Sequence, residues 1–326
     1  MPDKLMRIRR ADEAVRPIMI AIAGDSAAGK TTLTRGLVAA LGSERSISLC
    51  VDDYHRYDRA ERRSLPFTPL HPSCNYVQIM EQHLRLLALG RPILKPVYDH
   101  GHGELIRPEL VEPHPLVIVE GLLPLHTKLL RACFDVTVYL SPPEEVRRQW
   151  KIARDTLKRG YTHDQVISEL ERREPEADRY VRPQRRNADI VVEFARTGAS
   201  VLLRPTIRHP DFARILSETG VDGVTLALTR DPDGIPADAL HISRALPTSS
   251  GDAVAAAIWD DLGKPGPLPD SLGLLDGTRD EPLRLVQLIL LYHLLSLMGV
   301  DEWECVRARP EDAAGAPAGR PRDRQE

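Results

Sequence analysis

Aromatic residues make up only 5% of the 326-residue chain. That scarcity leaves no interleaved stacking surface of the kind single-stranded nucleic acid needs, so no nucleic-acid partner is expected. An excess of either charge is also lacking. Lys and Arg nearly balance Asp and Glu, for a formal net charge of −3, which argues against a broad polyanion-binding face and leaves room for a local cationic pocket. Cysteine is sparse: Cys50, Cys74, Cys133 and Cys305, with no CxxC pair. Neither a disulfide framework nor a zinc site fits that spacing. The first sixteen residues carry no apolar core of a secretory leader, so a reducing cytoplasm is the expected location. The most apolar run, Leu283 to Met298, falls short of the ~20 residues that cross a bilayer and carries Arg284, Gln287 and His293. It reads as a buried core helix, and no membrane contact is expected.

What the chain does have is alternation. Short apolar runs at Ile18–Ala23, Ser46–Val51, Leu116–Glu120, Asp135–Leu140 and Asp189–Phe194 read as strands. Several are unbroken rather than alternating, which suits strands buried on both faces of a parallel sheet. Amphipathic stretches between them predict helices over Lys30–Leu41, Tyr76–Leu89, Pro143–Arg159 and Thr162–Arg173, the last opened by a capping box of Thr162 with Gln165. The fold class that follows is α/β, doubly wound and mainly parallel.

After residue 198 the pattern changes. "SVLLRPTIRH" and "GVTLALT" predict antiparallel strands of a second, mostly β, layer, and "PTSSGDAVAAAIWDDLG" a turn feeding a helix. The expected organisation is a polar extension over 1–16, an α/β core over 17–198, a strand-rich and helical part of the same unit over 199–306, and a disordered tail over 307–326. The tail is rich in Pro, Ala and charge.

"GDSAAGKT", Gly24 to Thr31, fits G-x-x-x-x-G-K-[ST] between a predicted strand and a predicted helix. Backbone N–H groups of Gly24, Asp25, Ser26, Ala27, Ala28 and Gly29 can curve around a phosphate, with Thr32 just inside the helix. The helix N-terminus adds partial positive charge. Lys30 is expected to reach the β- and γ-phosphates of ATP, and Thr31 to place its hydroxyl on Mg²⁺. Motors, switches and kinases all use such loops, so the reaction must be argued from other residues.

Three features address it. "CVDDYHRYDR" clusters carboxylates, a histidine and arginines just past the carboxyl end of a strand, where open α/β sheets bind ligands. "PLVIVEGLLPL" ends its strand on Glu120, a candidate Mg²⁺ ligand. Arg147, Lys151, Arg154 and Lys158 follow i, i+4, i+7, i+11 and share one helix face. Four cations there repel one another unless they face solvent or an anion, which allows a solvated face or a lid over a phosphate.

These residues resemble motifs of the phosphoribulokinase and uridine kinase superfamily, from about Pro17 to Phe194 and more weakly to about Met298. The D-x-x-H-x-x-x-R block appears as Asp52, His55 and Arg59. P-x-Y-x-H appears as Pro96, Tyr98 and His100, and K-I-x-R-D-x-x-x-R-G runs from Lys151 to Gly160. The resemblance implies Asp52 as general base, and His55, Arg59, Tyr98 and His100 near a sugar phosphate. It places Lys151 and Arg154 on the reacting phosphates, and Arg172 and Arg173 in substrate contact or lid function. Its phosphoribulokinase branch implies ATP-dependent phosphorylation of the C1 hydroxyl of D-ribulose 5-phosphate, whose product feeds ribulose bisphosphate carboxylase. A homodimer is compatible with the resemblance. Two other readings stay open: a uridine kinase-like nucleoside kinase, and a non-catalytic regulator that binds ATP and a sugar phosphate. Plant-type members pair a phosphate-loop cysteine with one before the Asp-Asp-Tyr-His segment. Here Cys50 fills the second position but Ala28 the first, so that thiol pair cannot form, and Cys50 is expected to be a buried strand residue.

Overall fold

Every residue of the first strand, Ile18–Gly24 (β1), is buried, as an apolar run with neighbours on both faces requires. The computed structural model describes residues 16–263 and 266–298. The expected disordered tail, most of the N-terminal extension and Cys305 lie outside the described residues, as does the side chain of Lys158. After β1 come helix α1 (Lys30–Leu41), β2 (Ser46–Cys50) and a 3₁₀ turn, Val51–Tyr54. Helix α2 (Val77–Ala88) leads to a hairpin of β3 (Ile93–Asp99) and β4 (Glu104–Val111), then β5 (Leu116–Gly121), the short α3 (Lys128–Arg131) and β6 (Val136–Leu140). Helices α4 (Glu144–Arg159) and α5 (His163–Glu176) follow, then β7 (Ile190–Ala195) and β8 (Gly198–Leu203). The chain continues through α6 (Phe212–Thr219), β9 (Val224–Arg230), β10 (Pro236–Ser243), α7 (Thr248–Leu262), the minimal pair β11 (Leu274–Leu275) and β12 (Thr278–Arg279), and α8 (Glu281–Ser296).

One eight-stranded sheet runs in the order β2-β5-β1-β6-β7-β8-β10-β9. The first five strands are parallel and the last four form an antiparallel run sharing β7. This corrects one expectation: the strands after residue 198 extend the same sheet instead of forming a second layer. The cause is local. A tight turn at Arg196 and Thr197, with Ala195 opposite Gly198, folds β8 directly back on β7.

Alternate side chains of the buried strands feed two cores. Ile18, Ile20 and Ile22 join Leu33 and Leu37 of α1 and the apolar faces of α6, α7 and α8. Met19, Ala21 and Ala23 join Met80, Leu84 and Leu87 of α2. Helix α8 is buried from Glu281 to Leu295, so its apolar run is core, as read from the sequence. Two of its polar residues find partners inside: Arg284 pairs with Asp252 at 2.6 Å and Gln287 accepts from the Gly273 amide at 2.7 Å. No helix among the described residues is long and apolar enough to cross a membrane.

The capping box opens α5 as expected. Gln165 N donates to Thr162 Oγ1 at 3.3 Å and Thr162 N to Gln165 Oε1 at 2.9 Å. Helix α5 then passes Pro175 and runs into a π-helical turn, Ala177–Val181, where Glu176 accepts from the Thr68 amide at 3.0 Å. The sequence reading passes over the β3–β4 hairpin, β10 and α6, although α6 opens on an Asp211 cap and closes on Gly220. Strand β4 is exposed from Glu104 to Leu110, so no apolar alternation marks it.

Candidate active site

The carboxyl ends of β1, β2 and β5 open into a cavity of about 1360 Å³, closed from the other side by α4 and α5. The loop between β1 and α1 forms its floor. Gly29 caps α1 at φ +94° and Ala27 sits at φ +64°, a left-handed backbone that curls successive N–H groups toward one point. Lys30 Nζ donates to the carbonyls of Gly24 and Asp25, both at 2.9 Å. The loop therefore holds the ammonium beside the place a phosphate would take. Ser26 through Thr32 all line the cavity. The Asp25 side chain is turned away from it, toward Arg147 at 3.5 Å and Arg182 at 3.6 Å, in a separate cavity of about 310 Å³.

Thr31 Oγ1 donates to Glu120 Oε2 at 3.2 Å. Burial pushes the Glu120 carboxyl above its usual range, with Lys30 pulling the other way, so a bound cation would relieve an unfavourable charge there. Among the described residues no three His, Cys, Asp or Glu side chains form a metal cage. A Mg²⁺ held mainly by phosphate oxygens and water needs only one or two protein oxygens, and Thr31 with Glu120 fits that demand.

Asp52 and Asp53 leave β2 together but do different things. Asp52 lines the cavity, its Oδ1 accepting from the Leu122 amide at 2.8 Å. Gly121 makes this approach feasible: at φ +156°, a Cβ there would lie 2.4 Å from Val51 and 2.9 Å from Asp52 Oδ1. Asp53 is engaged elsewhere, with Lys95 at 2.5 Å and the Tyr98 amide at 3.3 Å.

His55 is buried, and its Nδ1 meets Asn75 Oδ1 at 2.8 Å. The Asn75 amide nitrogen donates to Pro69 and His71 carbonyls, both at 3.0 Å, which fixes the oxygen toward His55. The proton therefore sits on Nδ1, and Nε2 is left as an acceptor. Burial, and then the Arg62 charge, push His55 down to about 4. It is a neutral group here, not a cation for a phosphate. Tyr98 packs edge-on to His55 at 4.8 Å and to His100 at 5.0 Å. The Arg59 guanidinium donates to the carbonyls of His100 at 2.7 Å and Gly101 at 3.3 Å, tying the hairpin tip to this turn.

On the opposite wall, Lys151 is buried against Asp155. Burial, and then Arg173, lower Lys151 to about 8. Arg154 bridges Asp155 Oδ1 at 2.8 Å and Ser26 Oγ at 3.3 Å, linking α4 to the phosphate loop. Arg172 and Arg173 line the cavity, and each pairs with Glu169 at 2.8 Å. The cationic face of α4 divides. Lys151 and Arg154 face the cavity, whereas Arg147 is buried against Glu144 at 2.7 Å and the Ser26 carbonyl at 3.2 Å. Sequence reasoning passed over Arg62 and Arg63, which also line the cavity. Arg62 donates to the Tyr98 hydroxyl and lies 4.8 Å from its ring centroid. They stood within the charge run "DRAERRS", which by itself reads as a solvated loop.

Residues 19–199 match the model of the Phosphoribulokinase / Uridine kinase family. The chain belongs to that family. It is 39% identical over 182 residues to the phosphoribulokinase of Synechocystis sp., covering 56% of this chain and 55% of that protein. It is 32% identical over 188 residues to the uridine kinase of Geobacillus kaustophilus, covering 54% and 86%. Among solved structures, the Rhodobacter spheroides phosphoribulokinase shares the fold with a TM-score of 0.57 at 17% identity, covering 76% of this chain and 96% of that one. The chain spans about half the length of the curated phosphoribulokinases it matches.

Cys50 is half-buried and lines the cavity at the end of β2, more accessible than a strand interior would be. Burial, then the charges of Asp52 and Glu120, raise its thiol well above the usual value, so little thiolate is present at neutral pH. Phosphorylation rates with and without dithiothreitol should therefore agree. A large reversible loss on mild oxidation, abolished by Cys50→Ser, would contradict this.

Acid should destabilise the fold through two histidines. Burial, then His209, push His293 down to about 4, matching His55. Between pH 6.5 and 4 the unfolded chain binds these protons and the folded chain does not, so stability falls as pH falls. From pH 7.5 to 5 the loss is ~2 kcal/mol for each histidine. Urea unfolding across that range checks it, and His293→Gln should flatten the slope.

Proposed function

We propose that this family member transfers the γ-phosphoryl group of ATP to the C1 hydroxyl of D-ribulose 5-phosphate, giving D-ribulose 1,5-bisphosphate. The observation that carries the reading is the presence of two separate cation groups in one cavity. Lys151, Arg154 and Arg159 come from α4, beside the phosphate loop; Arg59, Arg62 and Arg63 come from the segment after the Asp52 turn. A nucleoside acceptor has no anion for the second group, whereas a sugar phosphate brings a dianion. The 39% identity to a phosphoribulokinase supports the same choice.

In this reading Asp52 takes the C1 hydroxyl proton as the oxygen bonds to the γ-phosphorus and the bond to the β,γ-bridging oxygen breaks. Lys30, Lys151 and Arg154 stabilise charge on the equatorial oxygens. Mg²⁺ at Thr31 and Glu120 would neutralise phosphate charge. Arg59 and Arg62 hold the 5-phosphate, with Arg172 and Arg173 available once Glu169 releases them. Neutral His55 accepts from a sugar hydroxyl through Nε2, beside Tyr98 and His100. ATP turnover against a panel of ribulose 5-phosphate, uridine and pantothenate tests the proposal. Preference for uridine would sink it.

A further inference from the structure

Lys95 lies on β3 and is only 3% exposed, a costly place for an ammonium unless it is paired. Its Nζ meets Asp53 Oδ2 at 2.5 Å, Glu109 Oε1 at 3.0 Å and the Pro96 carbonyl at 3.3 Å. Burial alone would favour its neutral form, but the two carboxylates outweigh that and keep it charged. Asp53 also accepts from the Tyr98 amide through its other oxygen, at 3.3 Å. The hairpin register shifts between Lys95 and Val97, at Pro96, and the Lys95 side chain and the Tyr98 amide both reach this one carboxylate. Neither Lys95 nor Asp53 lines the cavity. Asp53 nevertheless sits beside Asp52 on the Val51–Tyr54 turn, and Tyr98 packs on His55.

We infer that Lys95 is a positioning residue. Through Asp53 it clamps the β3–β4 hairpin to the turn that carries Asp52 and His55, and so sets the acceptor half of the cavity against the phosphate loop. The ammonium also balances a buried carboxylate next to the base. Without it, the Asp53 charge is left unpaired one residue from Asp52, and the turn must move to rehydrate it. The phosphate loop, on β1 and α1, takes no part in the clamp.

This inference rests on the kinase reading above, and the experiment keeps the two apart. The unmodified chain is assayed first on the panel. Failure with ribulose 5-phosphate sinks only the substrate choice, and the comparison then uses whichever alcohol is phosphorylated. Lys95→Met should lower kcat by about 10²-fold, the usual penalty for a reacting group displaced by an ångström. KM for the alcohol should rise while KM for ATP stays unchanged. Asp53→Asn combined with Lys95→Met removes the stranded charge but does not restore the clamp, so it should recover only part of the lost kcat. Should Lys95→Met prove too unstable, Lys95→Gln, which keeps a donor, replaces it with the same split expected at a smaller effect. Hydrogen exchange reads the clamp with no substrate present: the Tyr98 amide should exchange faster in Lys95→Met while α1 amides keep their rates. Unchanged kcat, unchanged Tyr98 exchange, or a double variant no better than the single would each overturn the inference.

Discussion

Replacing Asp52 by Asn should lower kcat by about 10²–10⁴-fold, the usual range for loss of a general base, while ATP binding survives. Asparagine keeps the shape and can still accept from the Leu122 amide, the bond that orients the Asp52 carboxylate at 2.8 Å. What it cannot do is take a proton. Asp53→Asn is the internal control and should be much milder. Its amide oxygen can still accept from the Tyr98 amide, and Lys95 retains Glu109. Steady-state kinetics on both variants, with calorimetry for ATP, decides between them. A crippling Asp53→Asn beside a mild Asp52→Asn would move the base by one residue.

The difference between these neighbouring carboxylates shows where sequence reading stops. The phosphate loop was legible because its chemistry is local. Gly29, Lys30 and Thr31 are placed by backbone curvature and a helix start, both set within a few residues. Asp52 and Glu120 were legible because each ends an apolar strand, and parallel strands deliver their carboxyl ends to one edge. Cys50 opposite Glu120 in the β2–β5 register is the direct result. The long α8 was legible because an unbroken apolar run needs burial on every side.

Lys95, Asn75 and Arg62 were not legible, and for one reason. Each acts through the β3–β4 hairpin or the segment around residue 70, where no hydrophobic period marks the chain. Strand β4 faces solvent along nearly its whole length, and Pro96 interrupts the register of β3. The neutrality of His55 is likewise a tertiary property. It comes from burial and from Arg62, seven residues away in sequence and meeting it only because Arg62 folds onto Tyr98. The single sheet, where two layers had been expected, depended on a tight turn at Arg196 and Thr197, closed by Gly198 at φ +143°, and a glycine there does not say which layer the next strand joins.

The two cation groups should separate kinetically, and Arg154 with Arg59 makes the sharpest pair. Arg154 spans Asp155 and Ser26, so in the proposed reading its guanidinium serves the γ-phosphate end of the cavity. A donor aimed at charge that grows during transfer is worth about 10²–10³-fold in kcat. Arg154→Ala should lose that much with KM for ribulose 5-phosphate little changed. Arg59 belongs to the other end, where its guanidinium rests on the His100 and Gly101 carbonyls. If it holds the 5-phosphate, Arg59→Ala forfeits a charge-assisted bond of ~1.5–3 kcal/mol, roughly a 10- to 150-fold rise in KM. A smaller fall in kcat should accompany it, because the same side chain anchors the hairpin tip. Steady-state kinetics on the two variants tests the division. Should Arg59→Ala leave KM unchanged while Arg62→Ala raises it, the 5-phosphate lies one helical turn further along the segment, against Tyr98. Should both leave it unchanged, the second cation group does not bind the substrate, and the case for a sugar phosphate over a nucleoside fails with it.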